Sequence, residues 1–308
     1  MPNTGIHECR AKDYLAYSLC DLHVASKHHG FWHLCLRPLP LVYFAQAFKL
    51  NPMHTSYEQR LEFLHQFLEG AEVFHTNITN GALIKGDGWE VSSSGSRFAM
   101  LNQAIIQTSR KEALDELLAA IASTANPCDI RLVGPAIKHM SALVEAGYTN
   151  QGGAPFMLWS ADNSVDGFTL REGLSVRSLT ENDLPKMNEI YADVYKMNEE
   201  MIADMQKMLF SGNKDHAYGL IKDGEIVSVV NAVTYKDTVG IWNMGTPTTH
   251  QKNGYGLQLL KHVMKTHKDM GSKNFFLYAS AAGKFLYDKC GWITLDYLPY
   301  LTKPQTDS

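Results

Sequence analysis

The chain has 308 residues, of which 45% are hydrophobic and 19% charged, and its formal net charge at pH 7 is −4. A chain of this length is expected to form about two domains, and its composition is that of a folded, soluble protein. The absence of a long basic run argues against nucleic-acid binding. The most apolar window, residues 31–50, is too short and too interrupted to span a bilayer.

The cysteines and the first residues indicate the compartment. Five cysteines, widely spaced and odd in number, are typical of free thiols in a reducing compartment. The opening residues, MPNTGIHECRAKDY, lack the basic and then apolar pattern of a signal peptide. We therefore expect a cytoplasmic protein.

Residues 1–50 are rich in side chains that can bind metals, namely Cys20, His23, His28, His29, His33 and Cys35. The set lacks the paired CxxC spacing of a structural zinc site. The simpler alternative is a helix with surface histidines that ends at Gly30, followed by a buried strand. We expect no bound metal.

The remainder of the first half alternates amphipathic helices with short strands. Helices are predicted at residues 57–68, 110–123 and 137–146. Ser109 with Glu112 is typical of a capping box before the second of them. Strands are predicted between glycine- and asparagine-rich turns, at residues 71–76, 89–92, 97–107 and 130–133.

The second half follows a strand at residues 154–160 and a polar, glycine-containing stretch at residues 161–173, where we place the domain boundary. Its predicted strands are residues 174–179, 216–221, 225–235, 241–244, 274–278 and 292–301. Its predicted helices are residues 183–197, 199–210, 257–271 and 281–290.

One stretch of the second half, IWNMGTPTTHQKNGYGLQLL at residues 241–260, combines a strand, a glycine-bearing loop and a helix. The first turn of a helix has unpaired backbone N–H groups and the positive end of the helix dipole. Glycines let a backbone approach a phosphate closely. The stretch lacks both the G-x-G-x-x-G spacing of dinucleotide-binding folds and the Gly-Lys-Ser/Thr of a Walker loop. It predicts an anion-binding loop of another kind.

Two motifs of the second half resemble those of the Gcn5-related N-acetyltransferases, the GNAT superfamily. Q-K-N-G-Y-G, at residues 251–256, matches the family's Gln/Arg-x-x-Gly-x-Gly/Ala signature. F-L-Y-D-K-C-G-W, at residues 285–292, is close to the Leu-Tyr-x-Lys-x-Gly-Phe pattern of the family's last helix. With the predicted order β-α-α-β-β-β-α-β-α-β, the resemblance covers essentially all of residues 174–303.

The first half looks like a weak repeat of the second. Gly147 matches Gly291 at an offset of 144 residues (291 − 147). At the same offset Phe98 falls on Trp242, which predicts that the strands at these positions coincide. The helices that follow them coincide as well.

The glycine loop has no counterpart in the first half, where residues 110–112 are Arg-Lys-Glu and Leu143 stands in place of Tyr287. We therefore expect an α/β fold of two tandem GNAT-like domains, each a mixed, mostly antiparallel central sheet flanked by helices. The degenerate domain comprises residues 1–165, and the acetyl-CoA-binding catalytic domain comprises residues 174–308.

The resemblance implies that the second domain uses acetyl-CoA as its co-substrate. The loop backbone would hold the pyrophosphate, and the edge of the preceding strand would pair with the pantetheine arm. Gly245 would lie at a bulge or splay where an N–H group faces the thioester oxygen. Ser280 stands where the family often has an asparagine that contacts the pantetheine. The implied coenzyme-binding residues are Met244, Gly245, Thr246, Gln251, Lys252, Asn253, Gly254, Tyr255, Gly256 and Ser280.

Tyr287 is the implied catalytic residue, because it stands where many family members donate a proton to the coenzyme A thiolate. The alternative is a buried aromatic side chain on an amphipathic helix. No general base is identified: where many relatives have a glutamate on the central strand, this chain has tryptophan, asparagine and methionine at residues 242–244. Substitutes, each of which is also explained as a surface group, are Glu199, Glu200, Asp215 and His216.

Two functions of different classes are compatible with these features. The first is an N-acetyltransferase that moves the acetyl group directly from the thioester to an amine of a small molecule or peptide. The second is a non-catalytic acetyl-CoA-binding or interaction module. The loop and the tyrosine favour the enzyme. Neither function calls for nucleic acid, a membrane or a metal, and a homodimer is compatible with both.

Overall fold

The computed structural model describes residues 55–76, 81–208 and 215–303. The histidine-rich helix and the strand that we expect within residues 1–50 lie outside these ranges. In the ranges described, the helices and strands follow the predicted order, except for the strand Ala82–Gly86, which was not predicted, and where noted below.

Seven α-helices lie in the described part of the chain: α1 Tyr57–Thr76, α2 Lys111–Ser123, α3 Met140–Glu145, α4 Leu184–Tyr195, α5 Glu199–Met208, α6 Tyr255–Asp269 and α7 Ala281–Lys289. Short 3₁₀ turns occur at Ala99–Leu101, Gly134–His139, Glu181–Asp183 and Thr248–His250. The helices form where apolar side chains recur at helical spacing; α6, for example, buries Leu259, Leu260 and Val263 on one side.

The strands are β1 Ala82–Gly86, β2 Trp89–Ser93, β3 Gln103–Ile106, β4 Asp129–Leu132, β5 Thr149–Ser160, β6 Leu174–Ser178, β7 Asp215–Lys222, β8 Glu225–Tyr235, β9 Thr238–Gly245, β10 Asn274–Tyr278 and β11 Ile293–Thr302. Among the described residues they form one sheet in the order β1-β2-β3-β4-β11-β5-β10-β9-β8-β7-β6. Of the strand pairs in the described ranges, only β3 with β4 and β9 with β10 are parallel. The prediction of a mixed, mostly antiparallel sheet flanked by helices is therefore confirmed.

The last strands of the two halves are exchanged. β5, which closes the first half, lies between β10 and β11, with Phe156 opposite Tyr278 and Leu158 opposite Ile293. β11, which closes the second half, lies between β4 and β5. Each half thus supplies a strand to the sheet of the other, and the hydrogen bonds of one continuous sheet join the two halves.

The repeat is present in the last helices and strands of each half, but it fails upstream. At the offset of 144 residues, α2 falls on α6 and β5 falls on β11. The predicted match of Phe98 with Trp242 is wrong, because Phe98 precedes a 3₁₀ turn and the strand begins only at Gln103. β3 and β9 each pair in parallel with the strand that follows the next helix, and Gln103 and Thr238 are the first paired residues. They are therefore counterparts, at an offset of 135 residues (238 − 103). From the start of the strand to the start of the helix, the second half is therefore nine residues longer, with four of them in the strand and five in the connection.

Three other local predictions are corrected by the structure. Residues 71–76 continue α1 instead of forming a strand, because Gly70 packs close to the Tyr235 side chain within an uninterrupted helix. The predicted helix at residues 137–146 is a 3₁₀ turn followed by the short α3. The capping box at Ser109 does not form: Arg110 is the residue before α2, and no side chain caps that helix.

Helices cover both faces of the sheet. On one face, the α6 face, α6 and α7 pack over a core that includes Phe275 and Leu277. On the opposite face, the α1 face, Phe67 of α1 packs against Phe156 and Phe276. Phe275 and Phe276 are consecutive residues of β10 and point to opposite faces, as the alternation of a strand requires.

Candidate functional site

β9 and β10 separate to form a gap in the sheet. Their parallel pairing covers only Thr238–Gly240 of β9 and ends opposite Phe276. β9 nevertheless continues to Gly245, and β10 continues to Tyr278. Among the described residues, the β9 edge that faces β10 therefore has no strand partner beyond Gly240 and could pair with another extended chain. The carbonyl oxygens of Met244, Gly245 and Thr246 already accept side-chain hydrogen bonds.

A β-bulge lies at the end of β9. Val229 of β8 is opposite Gly245, but Asn231 is opposite Trp242, so β9 has one extra residue between these pairs. Asn243 accommodates it with a left-handed backbone, at φ 47°. The predicted bulge or splay beside Gly245 is confirmed. A bulge turns the following backbone and side chains out of the regular strand alternation.

The loop between β9 and α6 is held by its own amide side chains. Gln251 Nε2 donates to the Thr246 carbonyl oxygen at 3.0 Å, and Asn253 Nδ2 donates to the His250 carbonyl oxygen at 3.1 Å. Gly254 precedes α6 at φ 77°, a conformation that favours glycine. These contacts tie the amide side chains of the loop to its own backbone carbonyl groups.

Among the described residues, no acceptor outside α6 takes a hydrogen bond from the backbone N–H groups of residues 254–256. The last of these groups belong to the first turn of α6, where an α-helix cannot satisfy its own donors. Free donors at the positive end of a helix dipole form a site that suits a phosphate or another anion.

Gly256 allows β9 and α6 to approach each other. A Cβ atom at this position would lie 3.1 Å from Met244 Cε and 3.3 Å from Thr246 Oγ1. Both distances are tighter than ordinary contacts, so a side chain would have to displace its neighbours. The structure thus brings Met244, Thr246 and the glycine loop together, as predicted.

Two tyrosine hydroxyl groups meet at Met244. Tyr287 of α7 is buried, and its hydroxyl lies 3.8 Å from Met244 Sδ. Burial, with a smaller contribution from Cys290, raises the Tyr287 pKa well above its ordinary value, which keeps the hydroxyl protonated at neutral pH. Tyr195, at the end of α4, donates a hydrogen bond of 2.7 Å to the Met244 carbonyl oxygen.

Tyr195 is a site residue that the sequence did not reveal. Burial of its hydroxyl, followed by the proximity of Tyr287 and Tyr191, raises its pKa well above the ordinary value. The exposed ring resembles any aromatic residue at a helix end. Only the packing of α4 against β9, far away in the sequence, brings this hydroxyl to the site.

Asp193 and Arg171 also hold the loop and were not predicted. Asp193 Oδ2 accepts hydrogen bonds from the Thr248 backbone N–H at 2.6 Å and from Thr248 Oγ1 at 2.9 Å. Arg171 Nη1 donates to the Asn253 carbonyl oxygen at 3.2 Å, and its guanidinium lies 5.3 Å from the Tyr255 ring centroid. Arg171 comes from the linker between the halves and adds a positive charge beside the loop.

Ser280 has a structural task in this conformation. Its Oγ accepts a hydrogen bond of 3.0 Å from the Gly283 backbone N–H and so caps α7. The residue is exposed at the end of the gap, directly after Ala279. A contact with a coenzyme remains a prediction for this serine.

The described part of the first half has no comparable loop. Four residues separate Ile106 of β3 from Lys111 of α2, whereas nine separate Gly245 from Tyr255. Arg110 at this short connection forms an ion pair with Asp87 at 2.8 Å. Leu143, the counterpart of Tyr287, is fully buried in the core of the first half. The geometry there leaves neither an anion loop nor a hydroxyl.

The side chains considered as substitutes for a general base do not meet at the gap. His216 packs against His267, with ring centroids 5.9 Å apart, near the end of α6. His267 is eleven residues beyond Gly256, which is about 16 Å along a helix. Glu200 forms an ion pair with Arg97 on an exposed surface, and Glu199 is exposed. The side chain of Asp215 lies outside the described part.

Two further features are absent within the described ranges. No group of three or more His, Cys, Asp or Glu side chains there is arranged to hold a metal ion. No helix among those residues is long and apolar enough to cross a membrane.

The comparison with family models identifies the second half. Residues 175–294 match the model of the acetyltransferase (GNAT) domain. No curated protein matches the sequence closely enough to count as a relative.

Solved structures share the fold over more of the chain than this match. A GCN5-related N-acetyltransferase from Kribbella flavida is 14% identical, with a TM-score of 0.59, over 83% of this chain and 98% of its own. A functionally unknown conserved protein from Staphylococcus epidermidis is 13% identical, with a TM-score of 0.56, over 73% of this chain and 95% of its own. A GCN5-related N-acetyltransferase from Sphaerobacter thermophilus reaches a TM-score of 0.50 at 14% identity, over 72% of this chain and 79% of its own. Residues 175–294 thus match an acetyltransferase (GNAT) domain, and the solved structures share the fold beyond it.

Proposed function

We propose that this chain is an acetyl-CoA-dependent N-acetyltransferase that moves an acetyl group directly from the thioester to an amine of a small molecule or peptide. The observation that carries the proposal is the set of backbone N–H groups at the start of α6, residues 254–256, next to an open strand edge and two hydroxyl groups. Each part fits a different portion of acetyl-CoA.

The residues present fit the elongated, anionic coenzyme. The N–H groups of the loop would hold its pyrophosphate, with Arg171 and Lys252 adding positive charge. The unpaired edge of β9 around Met244–Thr246 would pair with the amides of the pantetheine arm, as a neighbouring strand would. When bound, acetyl-CoA supplies the activated acetyl group.

The bulge and the two tyrosines would act on the reacting atoms. The backbone N–H at Gly245, directly after the bulge, would polarise the acetyl carbonyl. Tyr287 would donate its hydroxyl proton to the departing thiolate sulfur as the carbon–sulfur bond breaks and the carbon–nitrogen bond forms. Its burial keeps that proton in place at neutral pH. Tyr195 would position Met244 through the carbonyl oxygen that it binds.

A second candidate function is a non-catalytic protein that binds acetyl-CoA on the same loop. It is favoured by one observation: residues 242–244 of β9 offer no carboxylate to remove a proton from an ammonium group. A free alkyl amine with a pKa near 10.4 is only about one part in 2,500 neutral at pH 7, a cost of about 4.6 kcal/mol without a base. An enzyme on this scaffold would rely on water in the gap for that step.

Two measurements separate these functions. Isothermal titration of acetyl-CoA into the full chain is expected to give one site per chain, because the first half lacks the loop. Two equivalent sites would show that the first half retains a loop function. Release of free thiol is then followed with amine, amino-acid, polyamine and peptide acceptors. Acceptor-dependent release supports the enzyme, and tight binding without any release supports the binding protein.

A further inference from the structure

The closed end of the gap between β9 and β10 is filled by aromatic side chains on the α1 face. Gly240 and Phe276 are the last paired residues of the two strands. Two residues further along each strand, Trp242 and Tyr278 lie on opposite sides of the gap, and both pack against the core under α1. Their rings contact each other across the gap, with centroids 6.4 Å apart and planes at 87°. The side chains therefore still bridge the space where the backbones have begun to separate.

Phe67 of α1 completes this group. Its ring is stacked on the Trp242 indole, with centroids 5.0 Å apart and planes at 13°. It also meets the Tyr278 ring edge-on, with centroids 5.0 Å apart. We call Phe67, Trp242 and Tyr278 the aromatic plug. Each of its rings contacts the other two, so the three side chains form one packed unit across the gap.

The aromatic plug is anchored in the surrounding core. Phe67 is 2% exposed, and its ring also contacts Phe156 at 5.6 Å and Phe276 at 6.1 Å. The Trp242 indole lies over the backbone of Gly240, where a Cβ atom would be 2.5 Å from Trp242 Nε1 and 3.2 Å from Phe67 Cε2. Because position 240 is a glycine, both rings reach the closed end of the gap. Side chains packed this closely leave little space for an added group.

The α6 face of the same end is filled as well. Ile241 and Leu277, each one residue beyond the last strand pair, are 4% and 1% exposed in the core under α6. Leu259 and Val263 of α6 are fully buried in that core. Among the described residues, a chain that enters the gap from its open end therefore meets packed side chains on both faces.

Acetyl-CoA would point its acyl group toward this closed end, an orientation that rests on the proposed function. The pyrophosphate would lie at the loop, and the pantetheine arm would run inward along the β9 edge past Thr246. The carbonyl would then face the N–H of Gly245. Val229 and Asn231, the β8 partners of Gly245 and Trp242, are two residues apart, which is about 7 Å along a strand. That distance holds the carbonyl, one methyl group and little more before the chain meets the aromatic plug.

We propose that the aromatic plug limits the transferred acyl group to acetyl, so that Phe67, Trp242 and Tyr278 determine the acyl-chain specificity. A longer straight chain, such as butyryl, would have to displace rings that are anchored on both strands and on α1. An added methylene in a filled apolar pocket is typically rejected by about 10- to 200-fold. The first half, which supplies Phe67, thus sets which acyl group the second half accepts.

Calorimetric titration of the full chain with acetyl-, propionyl-, butyryl- and hexanoyl-CoA tests the proposal without an acceptor. Affinity is expected to fall by at least tenfold between acetyl-CoA and butyryl-CoA, and further for hexanoyl-CoA. Equal affinity for all four thioesters overturns the role of the aromatic plug and leaves the proposed function intact. No binding of any of them overturns the proposed function and this specificity together.

Variants of the aromatic plug give the second arm of the test. Trp242→Leu opens space at the closed end and is expected to raise affinity for butyryl-CoA by about tenfold or more, with affinity for acetyl-CoA within a few-fold. Should it fail to fold, Phe67→Leu opens the same space from α1. Phe63→Leu is the matched control, since Phe63 lies on the same helix and its ring contacts Phe276 at 5.8 Å. It should keep the preference of the parent protein. An unchanged preference for acetyl-CoA in a folded Trp242→Leu or Phe67→Leu variant contradicts the proposal.

Discussion

At the scale of single residues, Met244 is the point where the site converges, since its side chain and its carbonyl oxygen each contact a different tyrosine hydroxyl. Tyr287 reaches the sulfur atom, and Tyr195 reaches the backbone. A buried hydroxyl with a raised pKa is a proton donor over the whole physiological range. The two tyrosines are nevertheless expected to differ in effect, because only Tyr287 is proposed to give up its proton.

Tyr287→Phe is expected to lower kcat by about 10- to 1,000-fold, since general acid assistance is typically worth 10²–10⁴ and water can replace part of it in an open cleft. Affinity for acetyl-CoA should stay within a few-fold. Because the pKa of Tyr287 lies above its ordinary value, kcat of the parent protein should show no loss from this group between pH 6 and about 9. Steady-state kinetics across that range, with titration of the coenzyme, measure both effects.

Tyr195→Phe is the matched control for this substitution. It removes the hydrogen bond to the Met244 carbonyl oxygen and should change coenzyme affinity more than kcat. Full activity of Tyr287→Phe with normal coenzyme binding would assign this tyrosine a packing role only. In that case Tyr287→Ala should still lower stability, by about 3–5 kcal/mol, through the cavity that it leaves.

At the scale of elements, the junction of β9 with α6 determines whether the loop can work. The strand end and the helix start lie so close together that Gly256 is in contact with Met244 and Thr246. A bulge, a nine-residue connection and a left-handed Gly254 shape the backbone between the strand and the helix.

Two substitutions of Gly256 are predicted to weaken coenzyme binding to different extents. Gly256→Ala adds a Cβ atom 3.1 Å from the flexible methyl group of Met244 and should weaken acetyl-CoA binding modestly. Gly256→Glu adds a negative charge as well, so losing charge-assisted hydrogen bonds worth about 1.5–3 kcal/mol each should weaken binding by orders of magnitude. Calorimetric titration measures the affinity, and melting temperature without ligand checks the fold. Unaltered affinity in a folded Gly256→Glu variant would remove the loop from the site.

The sequence predicted elements well where one local pattern was sufficient. The strand at residues 274–278 and the helices α6 and α7 were placed correctly to within two residues. Apolar spacing and the residues that stop a helix determine their positions. Gly70 misled the prediction, because tertiary packing carries α1 through it. The strand exchange could not be predicted, since β5 and β11 have the same alternation whichever partners they pair with.

The candidate site was predictable only in the parts that form a contiguous motif. The glycine loop and Tyr287 lie in short patterns with characteristic spacing. Tyr195, Asp193 and Arg171 reach the loop from the linker and α4, at separations of 49 to 82 residues from their partners, and no spacing rule announces such contacts.

At the scale of the whole molecule, neither half has a complete sheet without the other. A fragment of residues 166–308 would lose β5, which pairs with both β10 and β11. We expect this fragment alone to be unfolded or aggregated. Without β5, the strands β10 and β11 would each have an unpaired edge. Co-expression with residues 1–165 should restore a folded complex. Circular dichroism and size-exclusion chromatography follow folding. An isolated 166–308 fragment with a cooperative melt and normal acetyl-CoA affinity would contradict this expectation.

The strand exchange also delays folding of the first half during synthesis on the ribosome. Ile130 pairs with Leu301, which follows it by 171 residues (301 − 130). At about 5–20 residues per second, about 10–35 s pass before that partner is made. Domains usually fold as they emerge, but here the first half waits for the last strand of the second with the edge of β4 uncovered. A nascent chain with such a long-lived edge is a natural client for chaperones, and slowing its translation should lower the yield of folded protein instead of raising it.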